Sequence, residues 1–315
     1  MAHVTFIHGI ANKPPADVLL EQWRIALLDN DGVDLEARGV TSSMVYWADL
    51  LYAEPLPAAV AQSQEALEVD GAVAGDDTDM SWLADVDPDE AAFVAAVGAE
   101  IGLASVAAAP TEAADVVDPD SPLEAIPLPE FMKARLMRVF LRDVHHYVYD
   151  AESRPRAGES YRIRRTIRAR TIDALHEGAR RPGPHVLVTH SMGTVIGYDV
   201  LTGEDDVPGV EAMITLGSPL GLSDLQEKLA PPWTRHDGWP TTRLGTGQWT
   251  NVADRLDPVC GFDAAIGPDF CRGGVSQVLD VSVTNEGRWR HSVVKYLRQH
   301  AVRDALLRAL DGRSP

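Results

Sequence analysis

The stretch HVLVTHSMGTVIGYDVL, His185–Leu201, changes its period at a single residue. HVLVTH is a short apolar run suited to a strand buried on both faces. MGTVIGYDVL reads as a helix with glycines on one face. Ser191 stands between them with no turn residues to ease the passage. A chain with this junction must fold around a strand–helix unit, and a strand buried on both faces belongs in a sheet covered by helices. The rest of the sequence agrees. Strand-like runs recur at HVTFIHG, VTSSMVYWA, AMITLGSP, TGQWTNV and QVLDVSV. Between them PPADVLLEQWRIALL reads as a helix with a stripe of Val18, Leu19, Trp23, Ala26 and Leu27. Residues 131–149 and 161–179 also read as helices, and SVVKYLRQHAVRDALLRAL as one closing helix that buries Val294, Leu297, Ala301 and Ala305. The predicted class is α/β, with a mostly parallel central sheet flanked by helices.

One segment breaks this alternation. Residues 50–130 are Ala-rich, studded with Pro, and contain 18 Asp and Glu but no Lys or Arg. They carry nearly all of the net charge of −19. The segment reads as a helical, acidic insertion into a core formed by 1–49 and 131–315. Its apolar positions Phe93, Val94, Val97, Ile101, Leu103 and Val106 recur near helical spacing, as a cover over the core would need. A lid role and a solvated appendage both remain open. Residues 131–181 reverse the balance, with 13 Lys and Arg against 6 acids. The run Arg162–Arg170 reads as a solvated helix face to which the acidic insertion could be attracted.

The overall negative charge argues against a nucleic-acid partner. No run approaches 18 apolar residues free of charge or proline, which argues against a membrane-spanning helix. The first residues lack a basic region followed by a long apolar run, so the expected location is cytoplasmic. Cys260 and Cys271 are the two cysteines, too few for a zinc cluster; two reduced thiols or one small-loop disulfide are both compatible with their spacing.

In a parallel sheet, functional residues gather beyond the carboxyl ends of the strands. Those ends are Gly9-Ile10, Ser191, Ser218, the DRLDP loop and the NEGRWRH loop. Thr189-His190-Ser191-Met192-Gly193 resembles the nucleophile elbow of the α/β-hydrolase superfamily, with Thr189 in place of the usual first glycine. Gly197 keeps the same helix face slim one turn later. A serine needs a base, and the base an orienting acid. The order in that superfamily is Ser, acid, His, and Asp257 and His291 follow Ser191 at predicted strand ends in that order. Asp254 is the rival acid; the DPV likeness and the reach beyond the strand favour Asp257. HSMGTVIGYDVL, LGSPLG and DPV are similar to stretches of intracellular phospholipase A1 and related lipase-like hydrolases, over about half the chain. FIHGI resembles the His-Gly signature of lipases and esterases. The resemblance therefore implies an oxyanion hole made by the backbone N–H groups of Ile10 and Met192. It also implies a hydrolase fold lacking the first two strands.

Other polar residues receive plainer readings. Ser218 is a turn residue, His8 and His190 are hydrogen-bonding scaffold, and His300 is a surface residue. His145-His146 has no carboxylate at metal-ligand spacing, so no metal is expected, and no cofactor. The expected activity is carboxylic ester hydrolysis through an acyl-enzyme on Ser191, with a small-molecule or lipid ester as partner. A thioesterase or peptidase using the same three residues, and a catalytically silent fold used as a binding module, are the alternatives. The oligomeric state is left open.

Overall fold

The computed structural model describes residues 1–57, 79–103, 130–203, 206–229, 248–260, 263–287 and 289–312. Its centre is a six-stranded sheet: β1 (His3–Ile7), β2 (Thr41–Val45), β3 (His185–His190), β4 (Ala212–Leu216), β5 (Gln248–Asp254) and β6 (Val278–Val283). The spatial order is β2-β1-β3-β4-β5-β6, and every neighbouring pair is parallel. The three uncharged runs β1, β3 and β4 are buried along their whole length, whereas the edge strands β2 and β6 are largely half-buried or exposed.

Because successive side chains point to opposite faces, each strand feeds two cores. Phe6, Val186, Val188 and Ile214 face one side, against Trp23 and Leu27 of α1 (Ala16–Leu28) and the two closing helices. Ile7, Leu187 and Met213 face the other. There they meet α2 (Pro88–Glu100), α3 (Glu130–Val148), α4 (Ile163–Ala179) and α5 (Met192–Thr202). The chain leaves β1 toward one edge of the sheet and β3 toward the other. A reversal of this kind opens a crevice at the carboxyl ends of the two strands, and residues 8–11 and 190–192 occupy it.

The closing segment differs from its sequence reading. It is two helices, α6 (Val293–Arg298) and α7 (His300–Leu310), parted by an extended Gln299 at φ −67°, ψ 134°. The Gln299 side chain donates to Thr284 O and Asn285 Oδ1, both at 2.9 Å. This anchor re-aims the chain, so each short helix buries its own stripe: Val293, Tyr296 and Leu297, then Val302, Ala305 and Leu306. Val294 and Ala301, expected on one face, are only half-buried. His300 is exposed, as expected.

The described part of the acidic insertion is built into the core face. Asp87 caps α2 by accepting the N–H groups of Asp89 and Glu90, both at 2.9 Å. Phe93, Val94, Val97 and Ile101 are buried, and Leu103 packs beside them. Val106 lies outside the described residues. The ties of α2 run to α3 and to the loop after β4. Glu90 Oε2 lies 2.7 Å from His145 Nε2, and Glu100 accepts the N–H and hydroxyl of Ser223. His145 thus has the carboxylate partner that sequence spacing did not reveal, because it comes from a different helix.

Arg162–Arg170 is a solvated face only in part: Arg162 and Arg165 are exposed, whereas Arg164, Arg168 and Arg170 are half-buried. Arg164 and Arg168 converge on the fully buried carboxylate of Asp199 in α5, at 2.6 and 2.8 Å, and Arg170 pairs with Asp49 at 2.6 Å. Tyr147 is the third side chain to donate to Asp199, at 2.8 Å. A buried charge needs such partners, and these arginines supply them. Among the described residues, no helix is long and apolar enough to cross a membrane, and no group of three or more His, Cys, Asp or Glu side chains is placed to hold a metal.

Candidate active site

β3 ends at His190 and α5 begins at Met192, so Ser191 alone makes the turn. It does so at φ 54°, ψ −128°, a backbone conformation that strains any residue with a Cβ. Surrounding bonds hold it there. The Ser191 N–H donates to Leu216 O at 3.0 Å, and Ser191 O accepts the N–H and hydroxyl of Thr194 at 2.9 and 2.7 Å. The helix can start this abruptly because Gly193 lies against the end of β1: a Cβ there would sit 2.4 Å from Ile7 O. Thr189 fits where a glycine was expected because its methyl faces Gly197, whose missing Cβ would lie 3.1 Å from it.

The loop after β1 crosses directly over Ser191. A Cβ on Gly9 would stand 2.7 Å from Ser191 Cβ and 3.3 Å from its Oγ, so only glycine passes. His8 fixes the loop. Its Nε2 accepts the Trp47 N–H at 3.0 Å, which leaves the proton on Nδ1 to donate to Gly9 O at 2.7 Å. Its ring stacks on Trp47 at 4.8 Å, and the indole N–H donates to His8 O at 3.1 Å. In a trans peptide the next N–H points opposite to the carbonyl, so fixing Gly9 O also fixes the N–H of Ile10. Beyond it Ala11, at φ 71°, donates its N–H to the buried Asp143 at 3.1 Å.

His291 and Asp257 come together on the other side of β4. His291 Nδ1 is 2.7 Å from Asp257 Oδ2, and both residues are buried. Gly217, at φ 54°, makes room for them: a Cβ there would lie 2.8 Å from Asp257 Oδ2 and 3.0 Å from His291 Nδ1. Because Ser191 bonds to Leu216 and the His291 pair rests on Gly217, both sit at the same strand end. Ser191 Oγ and His291 Nε2 are each buried without a hydrogen-bond partner. His190 Nε2 lies 2.8 Å from His291 O, the scaffold position expected of it.

Asp254 does different work. Its carboxylate accepts the N–H groups of Leu256 and Asn285 at 2.8 and 2.6 Å and lies 3.5 Å from Arg290, so it ties two loops together. Asp257 is buried, which alone would raise its pKa, but His291 and hydrogen bonds from His291, Tyr296 and Val259 outweigh burial and hold it below the usual carboxylate range. Cys260 and Cys271 are both free; burial and the nearby Asp257 charge push the Cys260 thiol up.

Four residues that shape this site were not singled out from sequence: Trp47, Asp143, Gly217 and Tyr296. Each acts through a contact between segments distant in the chain. Only Gly217 left a local trace, as a glycine closing a strand in LGSP.

No family model matches the chain, and a search of curated proteins returns no match. Among solved structures it is similar to an uncharacterized protein from Pseudomonas aeruginosa, at 10% identity and a TM-score of 0.31. That alignment covers 96% of this chain, which spans 46% of the other. A likeness at this level carries no argument about function.

Proposed function

We propose that this chain is a serine hydrolase of the α/β-hydrolase type that cleaves a carboxylic ester through an acyl-enzyme on Ser191. The observation that carries the reading is the buried Asp257–His291 pair, 2.7 Å apart, at the strand end where Ser191 is held in a strained strand-to-helix turn. The strand order β2-β1-β3-β4-β5-β6 suits such a fold without its two leading strands. In this reading His291 Nε2 takes the Ser191 proton as Oγ attacks the ester carbonyl. The N–H groups of Ile10 and Met192 receive the developing oxyanion. Collapse of that intermediate expels the alcohol, which takes the proton from His291. Water then repeats the sequence and frees the acid.

Asp257 holds the imidazole in the Nδ1–H tautomer, leaving Nε2 able to accept. A fluorophosphonate probe tests the reading: it is expected to label wild-type protein at Ser191 and to leave Ser191→Ala unlabelled. p-Nitrophenyl esters of graded chain length then define the acyl group. Equal labelling of both proteins would overturn the assignment.

A further inference from the structure

Asp257 Oδ2 is shared. It takes His291 Nδ1 at 2.7 Å and the Tyr296 hydroxyl at 2.7 Å, while Oδ1 accepts the Val259 N–H at 2.9 Å. The direction of the tyrosine bond follows from its other partner. The Asp254 N–H donates to Tyr296 Oη at 3.0 Å, which fills the acceptor role of the phenol. The Tyr296 proton is therefore committed to Asp257. Burial and the Asp257 charge push the phenol well above its ordinary pKa, so it remains a donor across the working range.

We infer that Tyr296 is a positioning residue that sets the strength of the Asp257–His291 pair by competing with the imidazole for Oδ2. The kinetic form of this inference rests on the hydrolase reading above; the titration of His291 does not. A second donor on the same oxygen draws off part of the charge that stabilises a protonated His291. It also holds the carboxylate in one rotamer against α6. Other groups facing this pair are accounted for: Asp254 is bound to Leu256, Asn285 and Arg290, Cys260 is a neutral thiol, and His190 is turned to His291 O. The Cys260 thiol also hydrogen-bonds the Asp257 carboxylate, a weaker donor than the phenol, and Tyr296 and His291 are the two groups placed on Oδ2 at 2.7 Å.

The experiment compares wild type, Tyr296→Phe, and protein carrying 3-fluorotyrosine at 296, a stronger donor of nearly the same shape. The His291 imidazole is titrated by NMR in histidine-labelled protein, with His291→Gln to assign the signal, and kcat/KM is recorded against pH on a p-nitrophenyl ester. Tyr296→Phe is expected to move the imidazole midpoint and the acid limb of kcat/KM to higher pH by roughly half to one unit. KM should stay within about twofold, as expected for a group that touches no substrate. Fluorotyrosine should move both in the opposite direction, and it keeps the test decisive if the phenylalanine variant does not fold. An unmoved or lowered midpoint in Tyr296→Phe, or no opposite shift with fluorotyrosine, overturns the inference. Failure of the fluorophosphonate probe to label wild-type Ser191 would sink the hydrolase reading instead, and the NMR titration would still decide the role of Tyr296.

Discussion

Ser191 occupies a conformation that costs a residue with a Cβ on the order of 1–3 kcal/mol. Such strain persists only where the surroundings hold it, and here the bonds to Leu216 and Thr194 do so. Two substitutions separate chemistry from strain. Ser191→Ala should lower kcat by several orders of magnitude, on the order of 10⁶, with a normal urea midpoint. Ser191→Gly should be equally inactive but more stable than the alanine variant by about 1 kcal/mol, because glycine accepts the positive φ. Equal stability would mean the turn is unstrained. The two carboxylates separate in the same way. Asp257→Asn is expected to cost roughly 10⁴ in kcat, because the amide leaves His291 in the wrong tautomer. Asp254→Asn should act mainly on stability, and a severe kinetic loss there with a mild one at Asp257 would reverse their roles. Since Asp257 is held below the usual carboxylate range, it stays ionised as pH falls into the acid range. Ser191, Asp257 and His291 were legible in sequence because strand ends can be counted along the chain. Tyr296 was not, since nothing in NEGRWRHSVVKYL says that a phenol one turn into the next helix folds back onto Asp257.

At the scale of elements, the site depends on how closely α5 approaches β1. Gly193→Ala would place a Cβ 2.4 Å from the carbonyl of Ile7, a backbone atom within a strand that cannot move aside. The expected cost is roughly 1–3 kcal/mol or more, with loss of probe labelling as the elbow opens. The far end of α5 is held by Asp199, through Arg164, Arg168 and Tyr147. Burial would raise the Asp199 pKa, but the two arginines outweigh it and hold it below its ordinary value. A carboxylate with a depressed folded-state pKa stabilises the fold above its unfolded value of about 4 and loses that contribution as pH falls through the lower folded value. Asp199→Asn should therefore cost about 3–5 kcal/mol at neutral pH and flatten the decline of stability below about pH 4. An unchanged acid-unfolding profile would show that this cluster carries no such linkage. The six strands of the central sheet were readable from sequence, as were helices α1, α3 and α4; two short hairpins, Glu152–Ser153 with Tyr161–Arg162 and Cys271–Arg272 with Val275–Ser276, were not. The break at Gln299 was not, because Val293–Leu310 keeps a continuous helical rhythm and only the contact of Gln299 with Thr284 and Asn285 interrupts it.

For the whole molecule, the uneven distribution of charge suggested two oppositely charged parts drawn together: an acidic cover and a basic helix. Among the described residues, the two are tied down separately, and residues 58–78 and 104–129 of the acidic segment lie outside them. Arg164 and Arg168 of the basic helix are committed to Asp199, and α2 enters the core through its apolar face. Phe93, Val94, Val97 and Ile101 belong to the same buried cluster as Ile10 and Met192, the residues proposed to form the oxyanion hole. Burying four such side chains contributes roughly 1.5–3 kcal/mol each. That sum is comparable with the roughly 5–15 kcal/mol by which a typical domain is stable. Replacing residues 55–125 with a short Gly/Ser linker should therefore remove more than a cover. It is expected to abolish both cooperative unfolding and fluorophosphonate labelling. Val97→Ala, a smaller cut at a fully buried position, should leave the protein folded and labelled but lower its urea midpoint. Full labelling and a wild-type melting temperature in the 55–125 deletion would place α2 outside the cooperative unit, with the strand ends that carry Ser191, Asp257 and His291 folding without it.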